Sequence, residues 1–530
     1  MRHRLPTAAR CVRPGAACAL LLAAIAIGCA APRRPAEPVP WPVPDWQVAA
    51  PESQGVEPGR LADLLERVER GGLRLHGLLV VRHGRLVHES YAWPFDATTP
   101  HDIASCTKSV VGLLAGIAWS EGHLRRIDAP LVDPLSLEGG APRSAHKAAM
   151  TLRHLLTMTS GLENRSQPVE QTLFDMLASP DWARFSAERR LVALPGGRWS
   201  YDSAGVHLVA AILRAAVGRD LLDYARERLF DPIGVGPVDW PADPQGIRRG
   251  WGDVRMRPRD MARLGLLMLQ EGRWEGTAVV PAPWVADATR DQTDGAEGAP
   301  TGGYGYLWWP GPDGAFFAAG RGGQYVFVSP ALDLVVVTTA AESRERLAGF
   351  AAALEEDLLP GLHEDALPPD PEGTARLAAV AARRAVPPSP TPPPPPPPLV
   401  ESISGRTFAL PPEPPFGWQA VALTFDGGAA ATLTPTVAGT ARPFAVGLDG
   451  VPRLTPGGGF VADPRHADST LALTGRWEDE RTFVVTFDTL ARIDRGTISL
   501  RFDDAGVAVA LVEETTGVAP VALRGTLLEP

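Results

Sequence analysis

The chain is 530 residues long, carries a formal net charge of -10 and is 45% hydrophobic. Such a hydrophobic content excludes a largely disordered polymer, and the length exceeds what one core of ordinary size organises, so two domains with tails are expected. The charges are dispersed, without the basic stripe of a nucleic-acid footprint.

At the N-terminus, Arg2, Arg4, Arg10 and Arg13 precede an apolar run from Gly15 to Gly28 that is short for a membrane span. This is the pattern of an export signal over residues 1–28. Ala26-Ile27-Gly28-Cys29 resembles the bacterial lipoprotein cleavage box, with alanine where leucine is usual. The resemblance implies a lipid on Cys29, a periplasmic or outer-membrane location, and membrane contact through that anchor. Residues 29–50, punctuated by Pro32, Pro35, Pro38, Pro40, Pro42 and Pro44, read as an extended tether. With the signal removed, only Cys29 and Cys106 remain, so no disulfide framework is expected, and Cys106 reads as a small buried thiol.

Residues 51–365 form the first body. The stretch from Arg60 to about residue 70 is helical in pattern, and His76 to Tyr91 reads as two β-runs joined at His83-Gly84. From Ser105 to Trp119 the apolar positions Val110, Val111, Leu113, Leu114 and Ile117 recur at helical spacing, and residues 150–290 are mostly helical. Strand signals return at Tyr304–Trp309, Ala315–Ala319, Gln324–Val328 and Leu334–Thr339, before a helical stretch from Ser343 to Leu358. The sheet must therefore combine both ends of this body. Residues 366–398 read as a linker whose last part, from Pro387, is almost all proline; as polyproline II it spans roughly 35 to 40 Å. Residues 399–530 show short strands with turns, among them Trp418–Phe425, Thr482–Asp488, Thr497–Phe502 and Val507–Val512, an all-β pattern with no catalytic constellation. His466 reads there as a surface loop residue.

The sharpest chemical clue is a lysine. Of 51 basic residues only Lys108 and Lys147 are lysines, the rest being arginine. Arginine effectively never releases its proton, whereas a desolvated lysine can serve as a base. Lys108 follows Ser105 by three residues at the start of a helix, so one turn brings amine and hydroxyl to the same face, where the amine can take the hydroxyl proton. The plain alternative is a helix-capping serine beside a surface lysine.

Ser105-Cys106-Thr107-Lys108 matches the S-x-x-K motif of serine β-lactamases and penicillin-binding proteins, and Thr151-Leu152-Arg153-His154-Leu155-Leu156-Thr157-Met158-Thr159-Ser160-Gly161-Leu162 resembles the helix and turn of the class C β-lactamase-related branch. His154 reads as structural. Pro195-Gly196-Gly197-Arg198-Trp199-Ser200-Tyr201-Asp202-Ser203 fits that branch's Y-x-N element, with Ser203 in place of asparagine. Gly320-Arg321-Gly322-Gly323-Gln324-Tyr325-Val326 is the best match to the strand lining the cleft, with Arg321 where lysine or histidine is usual. Arg259–Gly265 and Gly303–Trp309 extend the match over roughly residues 50–360. The tryptophans Trp308 and Trp309 read as core, with one ring available to wall a pocket.

The resemblance implies an α/β (α+β) β-lactamase/transpeptidase-like fold: an antiparallel sheet flanked by helices, a helical subdomain between its strand segments, and here a separate all-β C-terminal domain. It implies Ser105 as nucleophile, Lys108 and Tyr201 as proton-handling partners, the backbone N–H groups of Ser105 and Gln324 as an oxyanion hole, and Ser203, Arg321, Gly322 and Gly323 along the substrate path. It requires no cofactor and no metal. The expected activity is hydrolysis of an ester or amide in a small-molecule or peptide substrate through an acyl-enzyme, with β-lactams less favoured because of Ser203 and Arg321. The rival is a non-catalytic cell-envelope binding protein that retains this fold.

Overall fold

The structure, a computed structural model, describes residues 39–131, 145–166, 169–411, 417–458, 460–461, 468–504, 506–516 and 520–528. The export signal 1–28, Cys29 and His466 lie outside these residues.

Helix α1 (Pro58–Arg70) starts on a proline and buries Leu61, Leu64, Leu65 and Val68, one stripe of an amphipathic helix. It leads into strands β1 (Leu75–Arg82) and β2 (Arg85–Tyr91). His83 and Gly84 between them both take positive φ, 50° and 71°, the geometry of a tight hairpin turn whose twist matches the strands. Helix α2 (Cys106–Ser120) is buried from Cys106 to Ala118: Val110 to Ala118 is apolar all round, and the polar Thr107, Lys108 and Ser109 are enclosed at its start. A helical region follows, including α3 (Leu152–Leu156), α4 (Ser203–Val217) and α5 (Pro258–Leu269). The chain then returns through β3 (Trp309–Pro310), β4 (Phe316–Gly320), β5 (Gln324–Ser329) and β6 (Leu334–Ala340).

The sheet order is β2-β1-β6-β5-β4-β3 with every neighbour antiparallel, so β1 pairs with β6, Val80 opposite Val336. Side chains alternate between two cores. Leu79, Val81, Val326 and Val335 join α2, α4 and α5 on one face, while Leu78, Val80, Phe327 and Val336 join α1 on the other.

Three expectations change. Tyr304–Trp309 is not a strand: only Trp309 reaches the sheet, because Leu307 sits at φ 62° and the segment spends its hydrogen bonds on helices, Leu307 N–H to the Leu156 carbonyl and Ser109 Oγ to the Leu307 carbonyl. Within the expected linker, Pro371–Arg384 forms helix α6, capped by Asp370. It packs on α1 through buried Leu377 and Val380 and pairs Arg376 with Asp63 and Glu66, and Arg383 with Glu69. The tether also ends earlier than its prolines imply, since Trp46 is 6% exposed and Trp41 packs on Trp274. Aromatic burial outweighs the extended bias of the prolines there.

Beyond the prolines stand β7 (Thr407–Ala409), β8 (Trp418–Phe425), β9 (Ala430–Val437), β10 (Phe444–Gly447), β11 (Thr470–Trp477), β12 (Thr482–Leu490), β13 (Arg495–Asp503), β14 (Gly506–Glu513) and β15 (Val521–Leu527). The order β8-β7-β15-β14-β13-β12-β11-β10-β9 closes into a barrel because β8 pairs with both β7 and β9. Burial alternates along β9, and Phe408, Trp418, Phe444, Phe483, Phe487 and Phe502 fill the interior.

Candidate active site

Ser105 occupies the N-cap of α2, yet its side chain makes no capping bond. Its hydroxyl instead meets Lys108 Nζ at 2.8 Å. The turn that presents it is tightly built: Ala104 takes φ 47°, and its N–H donates to Asp102 Oδ1 at 2.7 Å. A non-glycine residue in the left-handed region is held there only by its surroundings.

Lys108 is 1% exposed, so the surface-lysine alternative does not describe it. Nζ donates to Ser105 Oγ and to the Trp251 carbonyl, each at 2.8 Å, and lies 4.8 Å from the centre of the Tyr201 ring. Burial pushes its pKa down to about 8, against the upward pull of Glu170, Cys106, Asp202 and Asp253. An amine so placed is partly neutral near physiological pH and can accept the serine proton.

Tyr201 reaches the site from the loop before α4. Asp202 caps that helix by accepting from the Gly205 N–H at 2.9 Å, and it is gripped by Arg189 through two bonds of 3.0 and 2.9 Å, both side chains being buried. The Tyr201 carbonyl accepts from Asn164 Nδ2 at 2.5 Å, and its ring stacks on Trp309 at 6.3 Å and 17°. Of the tryptophan pair, Trp308 is core and Trp309 is the half-buried ring beside the tyrosine. Ser203, at the asparagine position, is 2% exposed and its Oγ has no hydrogen-bond partner.

The glycine-rich segment is the β4–β5 hairpin. Gly322 and Gly323 carry φ of 83° and 96°, which the turn requires. Gln324 is fully buried: its amide bridges the Arg321 and Ala340 carbonyls, its Oε1 accepts from the Ala340 N–H, and its own carbonyl accepts from Cys106 Sγ at 3.4 Å. Gly320 is where β4 meets the turn before Ser105, since a Cβ there would lie 2.5 Å from the Ile103 carbonyl oxygen. Arg321 faces the barrel, with Asp494 at 3.1 Å, Thr515 in contact and Glu513 at 3.8 Å. The expected place of Arg321 along the substrate path is therefore corrected: barrel groups occupy its guanidinium.

The barrel touches the site elsewhere too. The Ala491 carbonyl, in the turn between β12 and β13, accepts from the Asp102 N–H at 3.0 Å. Arg492, 4% exposed, stands 3.9 Å from Asp102 and 3.8 Å from Asp468, which itself pairs with Arg255 at 2.6 Å. Burial, then Asp253, pushes the Asp102 carboxyl up to about 7, with Arg492 and Arg321 acting against them. Sequence reasoning missed Asp102, Glu170, Asn164, Trp251, Asp253 and this turn. The Asp202 cap was findable, as aspartate before a helical run is a capping signal; its pairing with Arg189 and a backbone carbonyl such as that of Trp251 leave none.

His154 is structural: its N–H donates to Thr151 Oγ1 and its Nδ1 accepts from the Thr151 N–H, closing a capping box. Burial holds the Cys106 thiol well above its usual range. Among the described residues no three His, Cys, Asp or Glu side chains stand together to hold a metal ion.

A family model described as Beta-lactamase matches residues 64–355. The chain is 26% identical over 296 residues to the 6-aminohexanoate-dimer hydrolase of Paenarthrobacter ureafaciens, over 52% of this chain and 75% of that protein. It is 22% identical over 303 residues to an uncharacterized protein of Alkalihalophilus pseudofirmus, over 49% of this chain and 82% of that one. Among solved structures, the octameric penicillin-binding protein homologue from Pyrococcus abyssi aligns with a TM-score of 0.44 at 16% identity, over 88% of this chain and 99% of that one.

Proposed function

The chain belongs to the beta-lactamase family, and we propose that it is a serine hydrolase that opens an ester or amide bond through an acyl-enzyme on Ser105. The observation that carries this reading is the buried, pKa-depressed amine of Lys108 at 2.8 Å from the Ser105 hydroxyl. In the first half-reaction neutral Lys108 takes the hydroxyl proton as Oγ bonds to the carbonyl carbon. Backbone N–H groups hold the oxyanion, that of Ser105 and one from the β4–β5 hairpin. The sequence motif favours Gln324 for the second donor, whereas the approach of Gly320 to Ile103 favours the residues at the end of β4. The proton then passes through Lys108 and Tyr201 to the leaving alcohol or amine. Water, deprotonated by the same pair, attacks the acyl carbon and restores Ser105.

Substrates lacking an essential carboxylate fit best, because Arg321 is committed to Asp494 and Ser203 supplies no amide. The likeness to a 6-aminohexanoate-dimer hydrolase supports an amide or ester over a specialised β-lactam substrate. Export on residues 1–28 with lipid on Cys29 is part of the proposal, and palmitate incorporation lost in Cys29→Ala tests it.

The decisive experiment is intact mass after treatment with a fluorophosphonate probe, for wild type and Ser105→Ala, beside turnover of an activated short-chain ester and a chromogenic cephalosporin. Labelling and ester turnover that vanish in the variant are expected. A wild type that neither labels nor turns over either substrate would favour the non-catalytic binding protein instead.

A further inference from the structure

Behind Lys108 lies a buried polar pair that chemistry at Ser105 does not touch. His207, on the second turn of α4, meets Asp243 with Nε2 and Oδ2 3.0 Å apart, and both side chains are fully enclosed. An ionised carboxylate only accepts, so Nε2–H donates to Asp243, while the other imidazole nitrogen, Nδ1, has no hydrogen-bond partner. Asp243 Oδ1 accepts from the N–H groups of Gln245 and Ile247 at 2.9 and 2.7 Å, so one carboxylate both closes that turn and ties it to α4.

From this turn the chain runs directly to Trp251. At Gly250 a Cβ would stand 2.4 Å from the Val206 carbonyl oxygen and 3.0 Å from His207 Cα, so the segment rests on the backbone of α4. The Trp251 indole packs edge-on to His207 at 5.3 Å and against Trp182 at 5.3 Å, with the Arg249 guanidinium over both indoles. The carbonyl of this same residue accepts from Lys108 Nζ. Burying a polar pair in an apolar cluster costs stability unless each group is matched, and a packed aliphatic pair would fill the space at lower cost.

A neutral amine has two N–H bonds and one lone pair. Serving as base for Ser105, it must aim that lone pair at Oγ, and an N–H held by the Trp251 carbonyl sets the rotation about Cε–Nζ. We propose that His207 and Asp243 are positioning residues for the general base: by pinning the Asp243–Trp251 segment to α4 they hold the Trp251 carbonyl where it aims Lys108 at Ser105. This rests on the assignment of Ser105 and Lys108 as nucleophile and base.

The test uses full-length His207→Leu and His207→Gln, following the rate of fluorophosphonate labelling and the kcat and KM of ester turnover across pH. Glutamine can donate to Asp243 from near the Nε2 position, and leucine cannot. His207→Leu is expected to lower kcat and labelling about tenfold or more with KM within about threefold, and to move the acid limb to lower pH, since the displaced carbonyl no longer favours the charged amine. His207→Gln is expected to keep the wild-type limb and most of the rate. Should His207→Leu fail to fold, Asp243→Ala, which leaves His207 nothing to bond, carries the same expectation. Wild-type rates and an unmoved limb in His207→Leu, or in Asp243→Ala in its place, overturn the proposal. Failure of wild type to label is a different result, and overturns the hydrolase reading beneath it.

Discussion

Replacing Lys108 by methionine isolates what the buried amine costs the fold. Its pKa falls from the ordinary 10.5 to about 8 in the folded protein, so between those values the unfolded chain binds a proton that the folded chain has released. Folded stability of wild type must therefore rise with pH through that window, and be lower below it by the full effect of the shift. At about 1.36 kcal/mol per unit the full effect is roughly 3 kcal/mol, of which about 2 kcal/mol is recovered between about pH 8 and about pH 10. Lys108→Met removes this dependence while retaining comparable volume. The variant's advantage over wild type should accordingly shrink by about 2 kcal/mol between those two pH values, whatever constant offset arises from the unpaired Trp251 carbonyl. Urea unfolding of both proteins, with Ser105 labelling as the activity control, measures this directly. A difference that stays flat across the window would refute a depressed lysine and, with it, the argument that this amine is ready to act as a base.

The same ionisation governs rate: only neutral Lys108 accepts a proton, so kcat/KM for ester turnover should climb with pH to a midpoint near 8, rising roughly fivefold from pH 7 to pH 8; a limb near the ordinary lysine value would contradict it. Lys108→Arg keeps the charge but not the basicity and should cut labelling about a hundredfold or more, read by intact mass. Arg189→Met leaves the buried Asp202 carboxylate unpaired and should destabilise the first domain by about 3 to 5 kcal/mol, seen as a lower urea midpoint. Asp494→Arg sets a like charge against Arg321 and should slow labelling a few-fold, with the double variant Arg321→Asp/Asp494→Arg recovering most of the rate.

How much could be read ahead of the structure depended on the range of the interaction. The His83-Gly84 turn, α2 and the Ser105–Lys108 contact are all set within a few residues, and each was legible. The pairing of β1 with late strands followed from a sheet that had to combine both ends of its body. Helix α6 was hidden because a proline-rich neighbourhood outweighed the spacing of Leu377 and Val380. The direction of Arg321 was unreadable for a different reason: its partner Asp494 lies 173 residues away, and a free arginine and a committed one look alike in a string of letters. Trp251 contributes through its carbonyl, a group every residue possesses.

The turn at Ala491 sets an order of events during synthesis. A ribosome completes Ser105, Lys108 and Tyr201 long before it reaches Ala491, Asp494 and Thr515, so the nascent catalytic domain first exists with the Asp102 amide and the Arg321 guanidinium lacking the partners they have in the finished molecule. Residues made late complete the contacts beneath residues made early. A stop codon between the prolines and Ala491 would thus leave a chain that holds every proposed catalytic side chain but not these barrel contacts beneath them.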